Sequence, residues 1–275
     1  MPRATLLVLL SIFGIAGAEP LKLGVHPYLP ATELVSRFTP LAEYLEDTLE
    51  RPVEIVVSSS YESHIEQVAT GEFTLALLGP IPYVVLTRDH GTPPILAALQ
   101  IDGHAMFHGV IITREESPLQ RLEDLAGRKF AFVDPNSTMG YVVPLSILER
   151  HGIPLEKLDR HAFLNSHENV AIGVLLGRYD AGAVKDETYG KYRDRGLRAL
   201  AVTSDIPEHL FVAGYQVEPQ LVKSLRAALL KLPQTPDGEE VLRAIKPDLT
   251  GLVPIHNRQY DALRQMLQSI GTAGE

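Results

Sequence analysis

From Leu21 onward, short apolar runs alternate with segments whose apolar residues recur at helical spacing, and the cycle goes round twice. Nothing else in the chain restricts its fold so severely. In the first round the strand-like runs are LKLGVHP, PVEIVVSSS, FTLALLGP and PILAALQI. Between the first two lies ATELVSRFTPLAEYLEDTL, with Leu34, Phe38, Leu41, Leu45 and Leu49 on one helical face. YESHIEQVATGE reads as a helix stopped by Gly71, and Pro80 and Pro82 open another after the third run. Strands that are apolar throughout are covered on both faces. The spacing therefore predicts an α/β protein built on a mostly parallel sheet flanked by helices.

The second round begins with MFHGVIITREES, a strand running into a charged turn. PLQRLEDLAGRKFAFVDP reads as a short helix, a glycine turn and a strand, and a further helix runs through Arg150. HAFLNS, HENVAIGVLLGRYD and AGAVKDE give strand, helix and strand. LRALAVTSD and LFVAGYQV are strands, and the chain from about Pro219 reads as largely helical. The rounds cover residues 20–102 and 106–200, with crossings expected around 106–113 and 198–205. The expectation is one lobe from residues 19–104 and 206–275, a second from 105–205, and two hinge strands between them. Open α/β sheets bind ligands beyond the carboxyl ends of their strands, so facing lobes make a cleft that closes about the hinge. A chain of 275 residues is long enough for both lobes.

The formal net charge is −9 and no basic stripe stands out, which argues against nucleic acid as a partner. A small anion is not excluded, because a local site can be positive on an acidic protein. With no cysteine there is no disulfide, thiolate metal site or cysteine nucleophile. Residues 1–18, MPRATLLVLLSIFGIAGA, carry Arg3, an apolar core from Leu6 to Ile15 and the small-residue end Ala16-Gly17-Ala18. That pattern predicts a secretory signal peptide cleaved after Ala18, with an uncleaved anchor as the alternative. No cysteine follows it to take a lipid.

The sequence holds no G-x-S-x-G, G-x-x-x-x-G-K-[ST], G-x-G-x-x-G or H-E-x-x-H pattern. A hydrolase using His26, His167 and Asp186 would lack an identifiable nucleophile–base pair. His104 and His108 lie too far apart on a strand to chelate well, so no metal and no cofactor are expected. The polar residues gather instead where strands hand over to helices. In DPNSTMGYVVP, Ser137, Thr138 and Gly140 sit at a helix start, whose first amides lack partners and carry partial positive charge. Two readings fit: a cradle for a phosphate-like anion, or an ordinary cap by Asn136 or Ser137. Ser58-Ser59-Ser60-Tyr61, Gly79-Pro80-Ile81-Pro82-Tyr83 and Ser166-His167 repeat the junction, and their matching places in both lobes favour a cleft that holds an oxyanion.

These stretches resemble the periplasmic phosphate-, phosphite- and phosphonate-binding proteins of ABC importers, the type II solute-binding proteins. The likeness covers nearly the whole chain after residue 18. Tyr61 matches an aromatic residue opening the second helix, and Gly79 to Tyr83 match a GxxxY pattern. DPNSTMGYVVP matches a DPxSTSGYxxP signature, Ser166-His167 an SH pair, and Gly182 to Asp186 a GAVK-acid run. The resemblance implies the two-lobed type II periplasmic-binding-protein fold. It also implies a ligand site from Tyr61, Tyr83, Ser137, Thr138, Met139, Gly140, His167 and Asp186. A monomeric periplasmic receptor is expected, capturing a small oxyanion for an ABC permease. The alternative is a sensory protein presenting the oxyanion to a membrane histidine kinase. Met139 stands where the signature has a second serine, and Phe107 with Gly109 where the hinge strand has a Y-x-S pattern. Each lost hydrogen bond is worth on the order of 0.5–1.5 kcal/mol, so a smaller, less charged or more apolar oxyanion is implied. Asp186 and Glu187 could meet the ammonium of an aminoalkyl phosphonate, or could simply be a solvated helix start.

Overall fold

The computed structural model describes residues 19–273. The expected signal peptide lies outside the described residues. The first lobe opens with β1 (Leu21–Val25), α1 (Ala31–Leu49), β2 (Val53–Val57), α2 (Tyr61–Ala69), β3 (Leu75–Leu78), α3 (Pro80–His90) and β4 (Ile95–Ile101). A two-residue strand β5 (Met106–Phe107) then leads into β6 (Gly109–Arg114), β7 (Lys129–Phe132), α4 (Val143–Arg150), β8 (Arg160–Phe163), α5 (His167–Leu175), β9 (Ala181–Lys185), α6 (Asp186–Tyr192) and β10 (Leu197–Val202). The chain returns through β11 (Ile206–Pro207) to β12 (Leu210–Ala213), α7 (Pro219–Lys231), α8 (Gly238–Ile245), β13 (Leu249–Val253) and α9 (Asp261–Ala273).

The larger sheet has the order β13-β4-β12-β3-β1-β2 and the smaller one β10-β6-β9-β7-β8. Both are mixed. β1 pairs in parallel with β2 and β3, and β7 with β8 and β9. The strands at the crossings run against their neighbours: β6 is antiparallel to β9 and β10, and β12 to β3 and β4. β5 and β11 pair with each other, Phe107 opposite Ile206 and Met106 opposite Pro207, and form the two-stranded link between the lobes.

Burial follows the apolar spacing. α1 buries Leu34, Phe38, Leu41 and Leu45 of the expected stripe together with Ala42, while Leu49 is only partly buried against the core. β3, β9 and β12 are buried at every residue, as strands covered on both faces must be. One local expectation changes: PLQRLEDLAG gives only a 3₁₀ turn over Leu122–Leu125, with Asp124 accepting from the amides of Gln120 and Arg121. The C-terminal part is largely helical as expected, and it also contributes β13, an edge strand antiparallel to β4. The carboxyl ends of β1, β2 and β3 in one lobe, and of β7, β8 and β9 in the other, lead into the loops that face across the cleft.

Candidate ligand-binding site

A small cavity of about 20 Å³ lies where those loops meet. The first lobe contributes His26, Tyr28, Tyr61, Gly79 and His209, the hinge contributes Phe107, and the second lobe contributes Ser137, Thr138, Met139, His167 and Lys185. A second cavity of similar volume adjoins it and shares Tyr28, Phe107, Lys185 and His209.

Most of these residues stand at helix starts. Tyr61 and His167 are the first residues of α2 and α5, Gly79 caps α3, and Lys185 precedes α6. Ser137 and Thr138 open a π-helical turn over Thr138–Val142 that continues into α4. Serine side chains fix three of these turns: Ser60 Oγ accepts from the Ser63 amide, Ser137 Oγ from Gly140, and Ser166 Oγ from Asn169. Each cap satisfies one orphan amide and leaves earlier first-turn amides pointing outward. Five helix N-termini thus converge on a space lined by hydroxyls and a buried lysine, an arrangement suited to negative charge. Ser137 caps its helix and also lines the cavity, so capping does not exclude the cradle reading.

The lobes touch around this space. The Ile81 amide donates to Thr138 Oγ1 at 3.0 Å across the cleft. Ser137 faces the Tyr61 phenol, whose titration burial drives upward. Lys185 Nζ lies 4.2 Å from the centroid of the Tyr28 ring and 2.7 Å from Glu187 Oε2. Burial lowers the Lys185 titration against the attraction of Glu187. Glu187 also takes Arg37 Nη1 from the first lobe at 2.8 Å. Burial pushes the Glu187 carboxyl up, but Lys185 and Arg37 outweigh it and hold it at about 2.

Histidines form the first-lobe wall. His26 stacks on His209 at 5.4 Å and packs against Tyr28 at 4.8 Å, Tyr61 at 5.3 Å and His64 at 5.8 Å. His26 Nδ1 and His64 Nε2 both meet the Leu77 carbonyl, at 3.2 Å and 3.0 Å. A carbonyl only accepts, so both nitrogens carry hydrogen. Burial holds His26 and His167 well below the usual histidine range and takes His64 to about 4. His209 Nδ1 lies 2.5 Å from Glu208 Oε2, and Lys246 Nζ lies 3.5 Å from Glu208 Oε1. Burial would raise Glu208, but His209 and Lys246 together hold it at about 2. Among the described residues no group of three or more His, Asp or Glu is arranged to hold a metal ion.

Of the residues singled out from sequence, Tyr61, Ser137, Thr138, Met139 and His167 come together on the cavity. Tyr83 does not: it is fully buried, its ring lies 4.9 Å from Tyr260 and its hydroxyl donates to Asn257 Oδ1 at 2.8 Å. It sits one turn into α3, on the face turned to α9. Gly140 serves packing rather than ligand approach. A Cβ there would lie 2.4 Å from Val133 Cβ and 2.5 Å from Ser137 Oγ. Asp186 lies outside the cavity lining, with Oδ1 buried and 4.0 Å from Lys246 Nζ.

His26, Tyr28, Lys185 and His209 complete the wall without having been singled out as ligands. His26-Pro27-Tyr28 has a visible signal, since it ends β1 at a junction like the others, and Lys185 ends β9 inside the GAVK run. His209 has none: it reaches the site only because β12 returns between β3 and β4. Phe107 keeps an aromatic ring at the hinge, 5.1 Å from His209.

Residues 23–260 match the family model described as "ABC transporter, phosphonate, periplasmic substrate-binding protein". The chain is 25% identical over 278 residues to the phosphate-import protein PhnD of Mycolicibacterium smegmatis, covering 92% of this chain and 87% of that one. It is 23% identical to a probable ABC transporter phosphite-binding protein, PhnD1, of Prochlorococcus marinus, over 82% of each chain. The solved structure of that PhnD1 with methylphosphonate superposes with a TM-score of 0.83 at 20% identity, covering 91% of this chain and 98% of that one. A binding-protein component of an ABC phosphonate transporter from Pseudomonas aeruginosa gives 0.84 at 19% identity, covering 93% and 89%. These structural neighbours share the type II periplasmic-binding fold, two α/β lobes about a cleft. No helix among the described residues is long and apolar enough to cross a membrane. The chain belongs to the periplasmic phosphonate-binding family, the substrate-binding components of ABC transporters, and acts as a receptor and not a catalyst.

Proposed function

We propose that the protein captures a compact phosphorus oxyanion in the inter-lobe cavity and delivers it to an ABC permease as an exported monomer. The observation that carries this reading is the convergence of five helix N-termini, the Ser137 and Thr138 hydroxyls and buried Lys185 on one small space. Tyr61, Tyr28 and His167 are the further ligands. Met139 and Phe107 give one part of the wall an apolar character, which supports an ion with one hydrogen or methyl substituent, such as phosphite or methylphosphonate. Glu187 is already held by Lys185 and Arg37, and Asp186 lies near Lys246. Glu187 is therefore not free for an ammonium group, and Asp186, whose buried Oδ1 has no hydrogen-bond partner, lies off the cavity lining, which argues for 2-aminoethylphosphonate ranking below the smaller ions. The family description supports import over presentation to a sensor kinase.

Calorimetry against phosphite, phosphate, methylphosphonate and 2-aminoethylphosphonate tests this. At least one of the first three should bind far more tightly than millimolar, and 2-aminoethylphosphonate should trail. Replacing Ser137 and Thr138 together by alanine should weaken binding by on the order of a hundredfold, since each hydroxyl serves a charged ligand. If none of the four binds better than millimolar, or if the double variant binds as before, the reading fails.

A further inference from the structure

His26 and His167 line the same cavity and are 1% and 4% exposed. Each has one ring nitrogen committed to the backbone, but in opposite senses. The Lys185 amide donates to His167 Nδ1 at 3.1 Å. That nitrogen is an acceptor, so the hydrogen of the neutral ring resides on Nε2. His26 Nδ1 faces the Leu77 carbonyl at 3.2 Å and must donate. The neutral ring then presents an unprotonated Nε2, an acceptor. Among the described residues neither Nε2 has a hydrogen-bond partner.

Burial first, and then the neighbouring charges, keeps both rings neutral. His26 is faced by Tyr28 from its own loop, Tyr61 and His64 from α2, His209 ahead of β12 and Lys185 from β9; the last two and His64 disfavour a further positive charge. His167 is faced by Lys185 and His209, which act likewise, and by Glu187, which opposes them more weakly. Protonating His167 at Nδ1 would also break its bond from the Lys185 amide.

A fully deprotonated oxyanion offers only acceptors. It suits His167 Nε2–H, the Thr138 and Tyr61 hydroxyls and the first-turn amides, but it sets oxygen lone pairs against the His26 lone pair. From these tautomers we infer that the site selects a singly protonated oxyanion, R–PO2(OH)⁻, whose hydroxyl donates to His26 Nε2 while its other oxygens accept. This inference rests on the oxyanion reading above and narrows it: ligands are sorted by possession of a proton as well as by shape. A sulfonate of the same shape and charge has no hydrogen to give. The proton stays on the ligand throughout, and no net proton is exchanged at a pH where the monoanion dominates in solution.

Methylphosphonate and methanesulfonate make the comparison, because below the second ionisation of methylphosphonate both are monoanions of similar shape. In calorimetry on the full chain, methylphosphonate should bind tighter by on the order of tenfold to a hundredfold, the cost of leaving a buried acceptor unpaired. Above that ionisation its affinity should fall about tenfold per pH unit. Titrations in buffers of different ionisation enthalpy should then show uptake of one proton per ligand bound. His26→Asn keeps a donor for Leu77 but removes the acceptor, so its preference between the two ions should shrink to a few-fold. Equal binding of the two ions by the unaltered protein overturns the inference while leaving oxyanion capture intact, as does methylphosphonate affinity that rises with pH. A His26→Asn variant that keeps the full preference refutes the assignment to His26. Failure of phosphite, phosphate and methylphosphonate to bind at any pH removes the oxyanion reading and this inference with it.

Discussion

At the scale of single residues, the site is shaped by one pair of substitutions that have to be read together. Met139 is 1% exposed and its Sδ receives the Thr203 hydroxyl at 3.7 Å. A Cβ on Gly109 would lie 3.0 Å from both Cβ and Sδ of Met139. The glycine makes room for the thioether. Gly109→Ala should therefore destabilise by about 1–3 kcal/mol through overpacking, and the same change should cost less when made in a Met139→Ala chain, where the thioether is gone. Denaturant unfolding of the two single variants and the double one gives the coupling, expected at about 0.5–3 kcal/mol; additive losses would show that the two positions do not share the space. Each departure from the family pattern was legible in the sequence, but their contact was not, because it depends on how β6 passes behind the 137–140 turn. The same limit explains the cavity residues. Ser137, Thr138, Tyr61 and His167 announce themselves as polar residues at strand-to-helix turns, and His26 follows the same rule at the end of β1. Gly140 and Tyr83 occupy similar turns in the sequence, yet Gly140 packs its backbone against Val133 just past β7 and Tyr83 faces α9, and no local pattern distinguishes these placements from that of Ser137.

At the scale of elements, the site depends on serine caps more than on any loop. Ser60 and Ser166 fix the first turns of α2 and α5, which carry Tyr61, His64 and His167. Ser60→Ala and Ser166→Ala should each cost about 1 kcal/mol of stability, and glycine at either place only a few tenths. The caps stand in different lobes and share no partner, so the double alanine variant should lose the sum in thermal unfolding. A loss near zero for either would mean that water replaces the serine oxygen at no cost. The elements themselves were largely legible, since helical spacing and Gly or Pro punctuation locate α1, α2 and α3 directly. β13 was not. Its five residues, LTGLV, carry a Thr-Gly interruption between helical segments, and they become a strand because β4 leaves an edge unpaired more than a hundred positions earlier in the chain.

For the whole molecule, the contacts across the cleft determine how much of the binding free energy goes into closing the lobes. Arg37 from α1 and Lys185 from β9 share Glu187, at 2.8 and 2.7 Å. Arg37 also reaches the Ile245 carbonyl at 3.2 Å and Glu33 at 2.8 Å, so its guanidinium is held firmly in the first lobe. The Glu187 side chain is 18% exposed and that of Arg37 20%, enough burial to strengthen the pair without stripping either group fully of water. Because the Glu187 carboxyl is held at about 2, against an ordinary value of 4.5, its contribution is complete above 4.5 and is lost as the pH falls through about 2. Across the neutral range the Glu187 carboxylate is therefore fully charged, and its titration does not open the latch. Substitution does. Glu187→Gln leaves Arg37 and Lys185, two cations from opposite lobes, facing each other where one carboxylate had joined them. The ligand-free variant should populate an open form, seen as a larger radius of gyration in small-angle X-ray scattering. Ligand should restore the compact form, and affinity should weaken by about tenfold, because binding must then drive a closure that the latch otherwise favours. A Glu187→Gln variant with an unchanged scattering profile and unchanged affinity would assign closure to the remaining cross-cleft contacts, the Ile81–Thr138 hydrogen bond and the packing of Lys185 on Tyr28.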